Sequence, residues 1–321
     1  MAIDTFDGHP TVSFLERLTF GATLEHLPAR LRRAIVRAIA RRADYPTLQA
    51  LGRRAGLHDV SVMGDFGLIQ GSLDDTSVLA TYARTRTWRP ALAQFFRRYF
   101  EDEGPGLFVD VGANIGLTTI PIARLSGTRC LAFEPDPDNF QYLRHNIEAN
   151  CPHHNVALFK LALFDSAGRL DLRRSAGNTG DHHRGRGAES AERDAPLIRV
   201  PTARLDDVLS RHLIDAAAPL AAKIVVEGAE TQIVAGGRDV LSRAGALLIE
   251  IFPYGIERLH GDLAGLLRFC SDNFAWAALN SGEQDDICTW MRVDDIVARL
   301  HDRYAAAVGH PAVYHHLFLR K

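Results

Sequence analysis

Residues 107–116, Leu-Phe-Val-Asp-Val-Gly-Ala-Asn-Ile-Gly, restrict the fold more than any other stretch of the chain. Apolar residues broken only by Asp110 read as a buried strand, and Gly112 and Gly116 read as a tight strand-to-helix turn where backbone can approach a ligand. A second apolar run ends at Glu134, eighteen residues past Gly116. From there apolar strands alternate with helical segments, the pattern of a parallel sheet covered by helices. Strands are expected over residues 107–111, 129–133, 156–161, 223–226, 246–251, 274–279 and 313–319. Helices are expected over 117–125, 139–150, 202–213, from 231 past 235, 261–270 and 293–304. Residues 173–193 interrupt this rhythm. They are rich in Gly, Arg, His, Ser and Asp, too polar to add core, and read as a surface loop or lid.

Upstream, Leu27, Leu31, Ile35 and Ile39 recur at helical spacing over residues 24–42, with six arginines on the remaining faces. Short apolar runs broken by Gly64, Gly67 and Gly71 suit one or two strands within 57–79, and residues 90–100 form a further amphipathic helix. A boundary near Trp88 divides a helical extension, residues 1–87, from a ligand-binding domain, residues 88–321. The extension is expected to cap the site or to make a dimer.

With 37 Lys and Arg against 39 Asp and Glu, charge gives no reason to expect nucleic acid. Cys130, Cys151, Cys270 and Cys288 have no metal-ligand spacing and read as reduced structural thiols. No apolar run approaches the ~18 residues that cross a bilayer, and the first residues lack the basic-then-apolar order of a signal peptide, so a cytoplasmic location is expected.

In a doubly wound sheet, ligands bind beyond the carboxyl ends of the strands, which gathers the turn at Asp110, Gly112, Ala113, Asn114 and Gly116 with Glu134, Ala162, Asp165, Glu227 and Glu230 on one rim. Glu134 stands where a carboxylate accepts hydrogen bonds from a ribose diol, and Pro135 stiffens its loop. A dinucleotide would ask for G-x-G-x-x-G, yet Asn114 and Leu117 occupy the second and third glycine positions. A ribose-bearing ligand without pyrophosphate is therefore expected. Asp110 could instead bond turn amides, and Asn114 could be a plain left-handed turn residue.

Four ordered motifs, Phe-Val-Asp-Val-Gly-Ala-Asn-Ile-Gly-Leu-Thr-Thr (108–119), Ala-Phe-Glu-Pro-Asp-Pro-Asp-Asn (132–139), Leu-Arg-His-Asn (143–146) and Lys-Ile-Val-Val-Glu-Gly-Ala-Glu (223–230), together resemble the FkbM family of methyltransferases. The resemblance implies a class I enzyme that moves a methyl group from S-adenosylmethionine to a hydroxyl of a sugar or natural product. It places Asp110, Gly112, Asn114 and Gly116 around the methionine part of the cofactor, Glu134 at the ribose, and Ala162 and Asp165 near the adenine. The family pattern has Asp where this chain has Val225, and valine can neither accept a proton nor hold a cation.

If the fourth strand runs over 223–226, Lys223 and Glu227 share a side with Val225. Glu227 is then the leading general base or substrate anchor, with a turn-capping role as its alternative, and Lys223 a neighbouring catalytic group. Glu230 can start the next helix or meet substrate. His182 and His183 in the polar loop are candidates for a proton acceptor and a substrate contact. No histidine pair has a third ligand nearby, so no metal site is expected. The expectation is a Rossmann-like, mostly parallel α/β sheet of about seven strands with a helical N-terminal extension, acting as an O-methyltransferase on a small hydroxylated acceptor. Stable membrane insertion is not expected, and a homodimer is allowed. Two other readings stay open: cofactor binding with lost or altered catalysis, and an interaction module that uses the basic helix on a membrane or partner.

Overall fold

The computed structural model describes residues 45–54, 57–174, 183–184, 197–211, 217–280, 289–307 and 314–321. The basic helix expected over 24–42, His182 and Cys288 lie outside the described residues. The chain divides into two compact units, Met1–Trp88 and Arg89–Lys321. In the first, α1 (Tyr45–Arg54) precedes an antiparallel hairpin of β1 (Asp59–Gly64) and β2 (Gly67–Ser72), followed by α2 (Val78–Thr85). The buried Tyr82 hydroxyl fixes the hairpin turn, accepting from Phe66 N and donating to Gly67 O at 3.0 Å each. Asp75 caps the start of α2 by accepting from Ser77 N and Leu79 N at 2.9 Å.

The second unit opens with α3 (Pro90–Glu103), β3 (Leu107–Val111), α4 (Thr119–Ala123), β4 (Arg129–Phe133), α5 (Pro137–Asn150) and β5 (Val156–Phe159). An excursion follows through β6 (Ala162–Leu163), β7 (Gly168–Arg173), β8 (His183–Arg184) and β9 (Leu197–Ala203), and α6 (Leu205–Ser210) leads back. The chain then runs through β10 (Leu220–Ile224), α7 (Glu230–Gly236), α8 (Arg238–Arg243), β11 (Ala246–Ile251), α9 (Pro253–Arg258) and α10 (Leu263–Asn273). It ends with β12 (Trp276–Asn280), β13 (Met291–Arg292), α11 (Val293–Ala307) and β14 (His315–Arg320).

Among the described residues the main sheet has eight strands in the order β13-β12-β14-β11-β10-β3-β4-β5. The run from β11 to β5 is parallel, and β14 enters antiparallel between β11 and β12. Chain order reverses between β3 and β10, which opens a crevice at their carboxyl ends. The parallel strands β3, β10 and β11 are buried along their whole length, as near-continuous apolar runs require.

Three strands, β3, β4 and β11, have the bounds expected from their apolar runs. The fourth does not: β10 covers Leu220–Ile224, so Val225 and Val226 lie beyond its end. The strand instead recruits the small residues Ala221 and Ala222, which fit between β3 and β11, and the chain turns at Glu227 and Gly228 with φ of 57° and 112°. The alternation that would put Lys223, Val225 and Glu227 on one side does not apply. Residues 202–203, expected to be helical, close β9, whose exposed and buried residues alternate. Part of the expected polar loop is also paired, since Arg173 ends β7 and His183–Arg184 form β8.

The aromatic face of α3 anchors it to the sheet. Phe96 is fully buried with its ring 4.8 Å from Phe108 of β3, and Phe95 meets Phe318 of β14 edge-on at 5.1 Å. Cys130, Cys151 and Cys270 are free and buried. No helix among the described residues is long and apolar enough to cross a membrane. Phe96→Ala should lower the unfolding free energy by about 3–5 kcal/mol, measured by denaturant titration; a loss below about 1 kcal/mol would show that α3 does not depend on this contact.

Candidate active site

The crevice between β3 and β10 holds a cavity of about 770 Å³, its open mouth included. Gly112, Asn114, Glu134 and Pro135 line one side, and Val225, Val226, Glu227 and Leu259 another. Leu161, Ala162, Leu163, Phe164, Leu170 and Leu172, from the end of β5 and the inserted sheet, form an apolar wall.

The turn after β3 is built for close approach. Gly112 has φ of 77°, and a Cβ there would lie 2.2 Å from the Val225 carbonyl oxygen, so only glycine lets the two strand ends come together. Asn114 takes a left-handed φ of 51°, and its side chain accepts from Ile115 N at 2.8 Å. Beneath the turn, Asp110 is wholly buried and does not line the cavity. It accepts from Thr119 Oγ1 at 2.7 Å and from Lys223 Nζ at 3.0 Å. Lys223 also donates to Gly112 O at 2.7 Å and Val111 O at 3.4 Å. Its ammonium, expected beside the reacting groups, is thus taken up by three acceptors of the β3 end.

Glu134 follows β4 and is buried, with Oε2 accepting from Asn114 N at 2.8 Å and Oε1 from Asp136 N at 2.9 Å. Burial raises its carboxyl to about 7, against the lowering effect of those amides. Each oxygen keeps a further lone pair for a ligand donor. Glu227 lines the cavity in a left-handed conformation, φ 57°, which for a non-glycine residue costs about 1–2 kcal/mol.

Several expected site residues lie elsewhere. Ala113 is buried and donates its N–H to Phe133 O at 2.9 Å, while Gly116, φ 95°, packs toward Leu143. Neither lines the cavity. Asp165 is exposed and accepts from Ser166 Oγ at 2.8 Å. Glu230 is fully buried at the start of α7, where Oε1 accepts from Val226 N and Gly228 N at 3.2 Å and Oε2 has no hydrogen-bond partner among the described residues. Burial first, then the neighbouring Glu250 charge, raises its carboxyl to about 8. His183 is a strand residue of β8. His316 pairs with Glu250 at 3.5 Å, and His315 Nδ1 meets the Tyr304 hydroxyl at 3.1 Å. Among the described residues no group of three or more His, Cys, Asp or Glu could hold a metal ion.

Sequence reasoning did not foresee the Lys223 lock, the Leu170 and Leu172 wall, or Arg174 beside Asp136. The alternation Leu170, Leu172, Arg174 was the available signal for the last two.

A parallel doubly wound sheet with a glycine turn, a carboxylate after the second strand and a cavity at the switch point defines a nucleoside-binding α/β protein. Residues 110–274, just over half of the chain, match the methyltransferase FkbM domain, and the chain belongs to that family. No curated protein sequence matches the chain. Solved structures with related folds include EvdMO1, at 12% identity and TM-score 0.35, over 71% of this chain and 40% of that one. TYW2 of M. jannaschii in complex with AdoMet is 15% identical, TM-score 0.35, over 82% of this chain and 87% of that one. The O-methyltransferase of Bacillus cereus in complex with SAH is 14% identical, TM-score 0.38, over 76% and 89%. The family assignment rests on the sequence match.

The folded protein holds the Glu230 proton up to about pH 8, whereas an ordinary carboxyl releases it near 4.5. Its contribution to stability is complete below about 4.5 and is lost as pH rises through about 8. The thermal midpoint of the wild type should therefore fall from about pH 6 to about pH 9, and that of Glu230→Gln should fall less. Parallel pH profiles for the two proteins would refute the assignment.

Proposed function

We propose that this protein transfers a methyl group from S-adenosylmethionine to a hydroxyl of a small molecule, a saccharide or natural product. The observation that carries the reading is the buried Glu134 carboxylate, held by two backbone amides at the edge of the cavity, in a chain that belongs to a methyltransferase family. The residues fit the cofactor. Glu134 offers acceptors to a ribose diol, the apolar wall from Leu161 to Phe164 with Leu170 and Leu172 suits the adenine, and Gly112 and Asn114 leave the turn open to the methionine part. The missing second and third glycines are of no consequence for a ligand without pyrophosphate.

Bound S-adenosylmethionine would supply an activated sulfonium methyl for attack by an acceptor oxygen, with S-adenosylhomocysteine as the leaving group. The chain's task is to hold that oxygen in line and take its proton. We assign the proton to Glu227, an acidic residue that lines the cavity opposite Glu134, and its left-handed backbone is strain of the kind that concentrates at functional positions. Lys223 acts at one remove by fixing the Gly112 turn through Asp110 and the Val111 and Gly112 carbonyls.

Val225 favours a second reading, cofactor binding with lost or altered catalysis, because an apolar residue lines the cavity where the family pattern carries Asp. Calorimetric titration with S-adenosylmethionine and turnover over a panel of hydroxylated acceptors separate the two. Binding without turnover in both the wild type and Val225→Asp would leave only the second reading, and absence of binding would remove both.

Glu134→Gln should weaken cofactor binding roughly 10- to 100-fold, the loss of a hydrogen-bonding charge. Wild-type affinity should fall as pH drops below about 7, where Glu134 takes up a proton and ceases to be a full acceptor. An affinity independent of pH between about 5.5 and 8 would contradict that role. Glu227→Gly relieves the left-handed strain, so its melting temperature should equal or exceed the wild type's while turnover drops by about 10²-fold or more with cofactor affinity retained. Retained turnover would exclude Glu227 as the base.

A further inference from the structure

One side chain of the inserted sheet's segment reaches the loop that carries Glu134. Leu170 and Leu172 of β7 line the cavity, and Arg174 follows directly after the last residue of that strand. Its guanidinium does not face water freely. Nε and Nη2 donate to the two carboxylate oxygens of Asp136, the latter at 3.0 Å, and Nη1 lies 2.8 Å from Asp138 Oδ2. This is the planar fork that arginine offers and lysine does not.

Asp136 has other duties at the same time. It is 1% exposed, and its Oδ1 caps α5 by accepting from Asp138 N at 2.9 Å and Asn139 N at 3.1 Å. Its own N–H is one of the two amides that hold the Glu134 carboxylate. A continuous path thus runs from the apolar wall on β7, through the guanidinium and Asp136, to Glu134. The charges facing Glu134 are Asp136 on its own loop and Lys223 from β10, with Glu227 lining the same cavity. Asp136 pushes the Glu134 proton affinity up and Lys223 pulls it down. A buried Asp136 without its guanidinium would leave an uncompensated charge two residues from Glu134.

We infer that Arg174 is a positioning residue for the cofactor: by clamping Asp136 and Asp138 it fixes the loop that presents Glu134, offsets the Asp136 charge there, and joins the inserted sheet to the ribose side. The inference rests on the assignment of Glu134 to the ribose. It concerns a residue outside the four motifs that carry the family resemblance.

The test is calorimetric titration of the full chain with S-adenosylhomocysteine from about pH 5.5 to 8.5, alongside thermal melts. Wild-type binding is the first requirement; without it the methyltransferase reading fails and the Arg174 inference falls with it. Given binding, Arg174→Met should weaken affinity roughly tenfold or more at pH 7 and move the midpoint of the pH dependence upward by about half a unit. Arg174→Lys, which keeps the charge but not the fork, should restore the midpoint and only part of the affinity. Arg199→Met removes an exposed pair with Asp171 on the same sheet, 3.0 Å long, and should leave both quantities unchanged. Should Arg174→Met fail to fold, Arg174→Gln is titrated in its place with the same two criteria. Wild-type affinity in the Arg174 variant, or a loss of equal size at every pH, overturns the inference.

Discussion

The buried pair of Asp110 and Lys223 is the constraint on which the crevice depends. The two residues face each other in the parallel register of β3 and β10, the two strands on either side of the topological switch. Two charges at 0% and 8% side-chain exposure are tolerable only if every donor and acceptor is used. That condition is nearly met: Thr119 takes the second oxygen of Asp110, and the Val111 and Gly112 carbonyls take the rest of the ammonium. The pair therefore fixes more than two side chains. It sets the separation of the strand ends, and through the Gly112 carbonyl it holds the turn from which Asn114 reaches Glu134. Deleting either partner would leave a buried charge unpaired, a penalty of about 3–5 kcal/mol felt directly at the site.

Much of this was legible in the sequence, and the limits have physical causes. The strands β3, β4 and β11 show as apolar runs of four to six buried residues because both faces of a parallel sheet are covered. Glu134 was legible because its place follows from one strand and one turn, both local. The end of β10 was misplaced because Ala221 and Ala222 carry little apolar signal, while Val225 and Val226, which look like strand, are pulled into the turn by Gly112. The Lys223 lock spans 113 residues of sequence, and no spacing rule reveals a pairing that topology alone creates. The inserted sheet was missed for a related reason: β7 alternates charged and apolar residues and β9 buries little beyond Val200, so their core amounts to a few residues such as Leu170, Leu172 and Val200.

Two halves of the cavity differ in how firmly they are specified. On the Glu134 side, each group has a second group behind it: Glu134 has two amides, Asp136 has the α5 terminus and Arg174, and Gly112 has Lys223. Such layered support holds a functional group within a narrow range of positions before any ligand arrives. The opposite side consists of Val225, Val226, Glu227 and Leu259, among which Glu227 alone carries a charge.

That contrast bears on how the chemistry can work without the family's aspartate. A sulfonium methyl is already activated, so in-line placement of the acceptor oxygen supplies much of the rate and a base supplies the remainder. Val225 presents apolar surface beside the Gly112 turn, which lowers the local dielectric and strengthens whatever charge remains there. Glu227 lines the cavity from a left-handed backbone position, φ 57°. In the proposed reaction, valine at this rim leaves Glu227 as the carboxylate residue on that side of the cavity, and the rate would then depend on how well Glu227 is held.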